Sequence, residues 1–322
     1  MGDTKRGTAG QGGLWRIGAG IGIGAQEKAL VRSGGCLLGG WMSSLVGSLS
    51  SAGPIRILSD LHLGHDLCLV RTVASLRPLI AGAEWVVFNG DTLQERGEAF
   101  RERSEGLVAE LQELCREEGA GTVFLGGNHD PTAWPLDWLD LLGGRVAATH
   151  GDVWLRWISP WSAQLGAFRE QLEALYGAAG RLEELDLEAR LGLLRRCRLA
   201  LPPSETRQRS QSAWDRAAFL GRELWPPRRP WEVLKAYGQL PGLAGRFAAA
   251  HRPESRVLLF GHTHRARAWR RGGRLLINTG AFVTFARPVL VALTGGQLQA
   301  WGLGQEKGSW RPTELLVEES LD

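Results

Sequence analysis

The chain has 322 residues, enough for one large domain or a domain with a sizeable insertion, and that size poses no obstacle to an enzyme. A formal charge of +4 and a pI near 9.1 are mildly basic, which suits an anionic substrate or a membrane surface without requiring either. Cys36, Cys68, Cys115 and Cys197 show neither C-x-x-C spacing nor the density of a disulfide scaffold, and they read as reduced thiols in a cytosolic protein.

Residues 1–53 hold 15 of the 44 glycines and only two acids, Asp3 and Glu27. Arg16, Lys28 and Arg32 interrupt every apolar stretch, so no run reaches the ~18 apolar residues of a membrane span. Ile17–Ala25 makes a poor, glycine-laden core for a signal peptide. The segment reads as a flexible leader without function, and Met42, the only methionine after Met1, fits a start placed too far upstream.

From Pro54 the pattern is that of an α/β domain. Apolar runs at Ile55–Leu58, Trp85–Phe88, Val123–Leu125 and Val257–Phe260 read as strands, and each ends in a cluster of Gly, Asp, Asn or His. Between them Leu67–Ile80 and Glu98–Glu118 carry apolar residues at helical spacing. Open α/β sheets bind ligands beyond the carboxyl ends of their strands, so the polar clusters are expected to converge. Leu165, Phe168, Leu172 and Leu175, and then Leu182–Leu199, keep helical spacing; Leu201–Gln211 reads as a connection, and Ser212 with Asp215 as the capping pair of a further helix. Residues 153–250 therefore read as a mostly helical cap over the cleft, with 14 Arg and one Lys against 10 acids and six of the 14 tryptophans. Such a surface suits a phosphorylated amphiphile or stacked bases, although tryptophan more often packs in cores and interfaces. Ala266–Trp269 with Leu275–Asn278, and Val289–Leu293 with Leu298–Trp301, read as hairpins, and residues 306–322 as a tail.

The polar clusters are Asp60-Leu61-His62, Gly90-Asp91, Gly127-Asn128-His129-Asp130, His150-Gly151-Asp152 and Gly261-His262-Thr263-His264. They contain five of the seven histidines; only His65 and His251 lie outside. Mixed imidazole, amide and carboxylate donors favour manganese, iron or zinc over calcium. Singly, Asp91 could cap a helix, Asn128 could serve a left-handed turn and Asp152 could be a turn residue; such readings must all hold together to displace a metal site.

The ordered set D-x-H, G-D, G-N-H-D, H-G-D, G-H-T-H resembles the calcineurin-like metallophosphoesterase superfamily over about residues 55–301. The resemblance implies an α/β fold, a two-sheet sandwich flanked by helices, with residues 54–152 and 251–305 as its core and the site at one edge of the sheets. It implies that Asp60, His62 and His264 hold one divalent metal, that Asn128, His150 and His262 hold a second, and that Asp91 bridges them. Two cations ~3.5–4 Å apart would turn a bridging water into a hydroxide aimed at phosphorus. The resemblance gives His129 the role of protonating the departing oxygen, with Asp130 as a candidate to orient its imidazole. The implied activity is hydrolysis of a phosphomonoester, phosphodiester or pyrophosphate bond with two metals, manganese first and iron, zinc or a mixed pair as alternatives.

Three classes of function stay open. One is a pyrophosphatase or phosphodiesterase for a small or lipid-linked substrate, loosely similar to the bacterial UDP-2,3-diacylglucosamine hydrolases, which typically have arginine where this chain has His129. A nuclease or cyclic-nucleotide phosphodiesterase is the second. The third is a non-catalytic metal-binding scaffold. The expected partner is an anionic phosphate-containing molecule, lipid-linked or nucleotide, with nucleic acid less favoured; the expected location is cytoplasmic, with contact at the membrane periphery.

Overall fold

The computed structural model describes residues 44–96, 98–160, 165–201 and 228–321. Among the described residues twelve strands follow in chain order: β1 (Val46–Leu49), β2 (Ile55–Leu58), β3 (Trp85–Asn89), β4 (Gly121–Leu125), β5 (Trp138–Leu141), β6 (Val146–Thr149), β7 (Val257–Phe260), β8 (Arg267–Arg271), β9 (Arg274–Asn278), β10 (Val289–Thr294), β11 (Gln297–Glu306) and β12 (Ser309–Ser320). The described α-helices are α1 (Arg77–Ile80), α2 (Glu98–Glu117), α3 (Leu165–Ala179), α4 (Leu187–Ala200) and α5 (Arg228–His251).

The strands form two six-stranded sheets, ordered β1-β5-β6-β7-β9-β8 and β12-β11-β10-β2-β3-β4. β2, β3 and β4 run parallel, as do β6, β7 and β9, and these strands are apolar almost without interruption because both of their faces are covered. Ile55, Ile57 and Val291 from one sheet meet Val146, Leu259 and Ile277 from the other in a buried middle layer. The outer face of the β2-β3-β4 sheet packs Phe88 and Phe124 against Leu76 and Ile80, and against Leu111 of α2. The opposite outer face presents Trp138, Ala147, Leu258 and Phe260 to Leu172 of α3, Leu191 of α4 and Ala244 of α5. Helices, sheet, sheet and helices thus stack as four layers, the expected α/β sandwich.

Several expectations change. Val46–Leu49, grouped with the leader, form β1, which pairs in parallel with β5 and buries Leu49. Leu67–Ile80 is helical only from Val73 onward, as a short 3-10 turn running into α1 with Pro78 in its first turn. The preceding residues extend because Cys68 bridges Val283 and Leu69 N–H donates to Phe282 O at 2.7 Å. The segment read as a C-terminal tail contributes β12, which runs antiparallel to β11 and ends that sheet. The described helices of segment 153–250 cover the outer face of β5, β6, β7 and β9, whose outward side chains would otherwise face water. Asp186 caps α4, accepting from Ala189 N–H at 2.8 Å. The expected capping pair Ser212 and Asp215, the connection beyond Leu201, and residues 1–43 lie outside the described residues. Among the described residues no helix is long and apolar enough to cross a membrane.

Candidate metal centre

The ends of β2, β3 and β4 in one sheet and of β6 and β7 in the other open onto the same edge. Asn89 at the end of β3 ties them together, donating from Nδ2 to Thr149 O at 2.9 Å. Asp60, Asp91, Asn128, His150 and His262 each lie one to three residues beyond such an end. The backbone turns sharply there: Asp60, His62, Asp91, His262 and His264 have φ between 48° and 66°, five of the nine non-glycine residues with positive φ among the described residues. Such strain persists only where surrounding contacts over-determine it, and it gathers at functional sites.

Two groups of donor atoms result. Asp60, His62, Asp91 and His264 form one; Asp91, His150 and His262 form the other, so the Asp91 carboxylate belongs to both. His62 Nε2 lies 3.0 Å from His264 Nε2 and 3.8 Å from Asp91 Oδ2. His150 Nε2 is 3.4 Å from the same Asp91 oxygen, 3.1 Å from His262 Nδ1 and 3.1 Å from Asn128 Oδ1. The other Asp91 oxygen accepts from His129 N–H at 2.8 Å, which turns Oδ2 toward the imidazoles. Both Asp60 oxygens accept from His262 N–H, at 3.0 and 3.2 Å. Glycine is required beside the carboxylates, because a methyl group at Gly127 would overlap Asp91 Oδ1 and one at Gly261 would overlap Asp60 Oδ2.

Lone pairs of imidazole, amide and carboxylate crowd together here with few protons to separate them, a donor chemistry that fits divalent cations. The support behind the donors fits as well. His262 Nε2–H donates to Ile158 O at 2.7 Å, which leaves Nδ1 as the coordinating atom. Asn278 donates to Gly261 O and Thr263 Oγ1, both at 2.8 Å, and so holds the loop that carries His262 and His264. His65 belongs to neither group.

Charge follows the same logic. Burial opposes ionisation of Asp91, but His150 and His129 beside it hold its carboxyl well below the usual range. Burial also opposes a charge on His150, yet Asp91 and Asp60 raise it to about 10. Burial, reinforced by His150, lowers His262 to about 4.

Asp130 does not orient His129. Its carboxylate accepts from Gly127 N–H (2.7 Å), Thr92 N–H (2.9 Å), Leu93 N–H (3.1 Å), Asp91 N–H (3.2 Å) and Trp134 Nε1–H (3.0 Å), so it shapes the loop that presents Asp91. The imidazole of His129 instead meets Gln94, Nδ1 to Oε1 at 3.0 Å, a residue the motif reading passed over. Its place three residues after Asp91 was the only signal. Asp152 is a buried structural anion: Arg198 of α4 donates to both its oxygens at 2.7 Å and to Asp137 at 2.6 Å. Arg195 also pairs with Asp137, and Arg190 donates to Val153 O at 3.1 Å, so part of the positive charge expected on a cap surface is turned inward. Arg265 lies over the Tyr237 ring, 5.5 Å from its centroid.

Comparison with known proteins bears on the family. Solved structures with a similar course of chain include Vacuolar Protein Sorting 29 from Cryptosporidium parvum (14% identity, TM-score 0.41, 83% of this chain and 98% of that one). A cold-active protein-tyrosine phosphatase of a psychrophilic Shewanella species is another (16%, 0.39, 85% and 82%). A third is a conserved uncharacterised protein of Streptococcus pneumoniae TIGR4 described as a predicted phosphoesterase (15%, 0.35, 83% and 97%). At these identities and scores the likenesses bear on neither reaction nor partner. A comparison with curated proteins found no match. The profile of the calcineurin-like phosphoesterases, however, matches residues 53–266, a stretch that contains every donor described above. The chain therefore belongs to the calcineurin-like phosphoesterase family.

Proposed function

We propose that this protein is a dinuclear metal-dependent phosphoesterase that hydrolyses a phosphomonoester, phosphodiester or pyrophosphate bond. The observation that carries the reading is the Asp91 carboxylate shared between two donor groups, with the His129 ring 4.8 Å from that of His62. Asp60, His62, Asp91 and His264 would hold one cation, and Asp91, Asn128, His150 and His262 the other. Manganese suits this oxygen and nitrogen set, as do iron, zinc or a mixed pair. When bound, the two cations supply a hydroxide near neutral pH and offset the charge of the phosphoryl oxygens. His129 then delivers a proton to the leaving oxygen, an effect worth about 10²–10⁴ in rate.

A second reading, a pyrophosphatase or phosphodiesterase for a lipid-linked substrate, has support from two exposed apolar side chains on segments joined to the donor loop, where Phe282 N–H donates to Asp60 O at 3.0 Å. Leu67 is 42% exposed and Phe285 fully so, and Thr284 N–H donates to Leu67 O at 2.9 Å, which sets the two segments side by side. The inward-turned arginines make the nuclease reading less favoured. Buried, unpaired Cys68, Cys115 and Cys197 support a cytoplasmic location.

The test is hydrolysis of bis-p-nitrophenyl phosphate by the purified protein with manganese. Asp91→Ala should lose both metal and activity; His129→Ala should keep its metal while its turnover of an alkyl phosphate ester, whose leaving oxygen needs a proton, falls by about 10²-fold or more. Full activity in the Asp91→Ala protein would overturn the two-metal assignment.

A further inference from the structure

Gln94 is fully buried beyond β3, and its backbone is held by Ser104 Oγ, which accepts from Gln94 N–H at 2.9 Å. Its side-chain amide lies between two imidazoles. The amide nitrogen is 2.6 Å from His62 Nδ1, and the amide oxygen is 3.0 Å from His129 Nδ1. With this orientation the amide donates to His62 Nδ1. The proton of a neutral His62 is then on Nε2, the atom 3.0 Å from His264 Nε2. His129 donates from Nδ1 to the amide oxygen, and its Nε2 carries no proton.

Coordination through His62 Nε2 reverses these roles one after another. A neutral imidazole that coordinates through Nε2 has its proton on Nδ1, and that N–H needs an acceptor. Gln94 can accept only through Oε1, so its amide must turn by half a rotation. Nε2 of the amide then faces His129 Nδ1 and donates to it. The proton of His129 must consequently reside on its own Nε2. Each imidazole remains neutral with one proton: His62 exchanges Nε2–H for Nδ1–H, His129 makes the opposite exchange, and water carries the protons between sites.

We propose that Gln94 is a positioning residue that couples occupancy of the metal site to the tautomer of His129, so that His129 holds an Nε2–H only when His62 coordinates a cation. An enzyme lacking its metals would then have no proton ready for a leaving group. That use of the proton rests on the hydrolytic reading above; the tautomer coupling does not.

The two parts separate experimentally. Protein labelled with 15N in histidine is compared metal-free and loaded with diamagnetic zinc by two-bond 15N–1H correlation, with His129 identified by its loss in His129→Ala. Wild type should change from the Nδ1–H to the Nε2–H tautomer at His129 on zinc loading. Gln94→Leu should bind zinc with unchanged stoichiometry while His129 no longer follows. A zinc-loaded wild type that keeps Nδ1–H overturns the proposal, whatever the variant does, and so does a Gln94→Leu protein that switches fully. In turnover, Gln94→Leu should lower kcat at least roughly tenfold for an alkyl ester, whose leaving group needs a proton, with little change in KM or in p-nitrophenyl ester hydrolysis. Failure to hydrolyse any ester would count against the hydrolytic reading and leave the tautomer result to decide this inference.

Discussion

Replacing Arg198 by methionine should destabilise this protein severely while leaving every proposed metal donor in place. Arg198 is fully buried in α4, as are Asp152 and Asp137, and its three hydrogen bonds of 2.6–2.7 Å bind both carboxylates. It joins the helical layer to the loops that follow β4 and β6, and Arg96 donates to its carbonyl oxygen. Methionine fills much of the same volume, so the dominant loss is electrostatic. Removing one member of a buried pair costs about 3–5 kcal/mol because the remaining charge is uncompensated, and here two carboxylates are stranded. A loss of about 4 kcal/mol would lower Tm by roughly 8–16 °C in a domain of this size. Burial opposes ionisation of Asp152, but Arg198 brings its carboxyl below the ordinary value of 3.8. A carboxylate depressed in the fold contributes stability above its unfolded pKa and loses it as pH falls through the folded value, so the deficit of the variant should shrink in acid, below about pH 4. Urea unfolding at pH 7 and at about pH 3 measures both effects. Adding Asp152→Asn to Arg198→Met should restore part of the stability by removing one stranded charge. An Arg198→Met protein within about 1 kcal/mol of wild type, or a double variant worse than the sum of its parts, would refute the reasoning.

Two further outcomes concern the donors directly. A methyl group at Gly261 would displace the Asp60 carboxylate, so Gly261→Ala should weaken metal binding by roughly 10–100-fold and cost about 1–3 kcal/mol, checked by metal content after gel filtration and by thermal melting. His150 in the metal-free fold is raised to about 10, mainly through Asp91 against the opposing effect of burial. The stability of its charged form is complete below the unfolded value near 6.5 and is lost as pH rises through 10. A cation must expel that proton, so its association constant should rise about tenfold per pH unit from pH 7 to 9, with proton release visible by calorimetry in two buffers. An affinity independent of pH over that range would contradict the assignment.

What the sequence determined by itself was the chemistry of the edge. Asp60, His62, Asp91, Asn128, His150, His262 and His264 stand just beyond apolar strands, and parallel strands deliver their carboxyl ends to one side. That rule acts through a few consecutive residues, so it is legible before folding. Roles that depend on distant neighbours were not. Apolar spacing showed that α3 and α4 each bury a face, but only the packed structure revealed that the face covers β5, β6, β7 and β9. β1 and β12 were hidden because an edge strand needs a partner from elsewhere in the chain, β5 and β11 respectively. Gln94 took the part expected of Asp130 for the same reason. A carboxylate beside His129 in sequence met five donors pointing elsewhere, while an amide 35 residues away met the imidazole. Hydrogen bonds are local in space, and tertiary structure alone decides which groups share it.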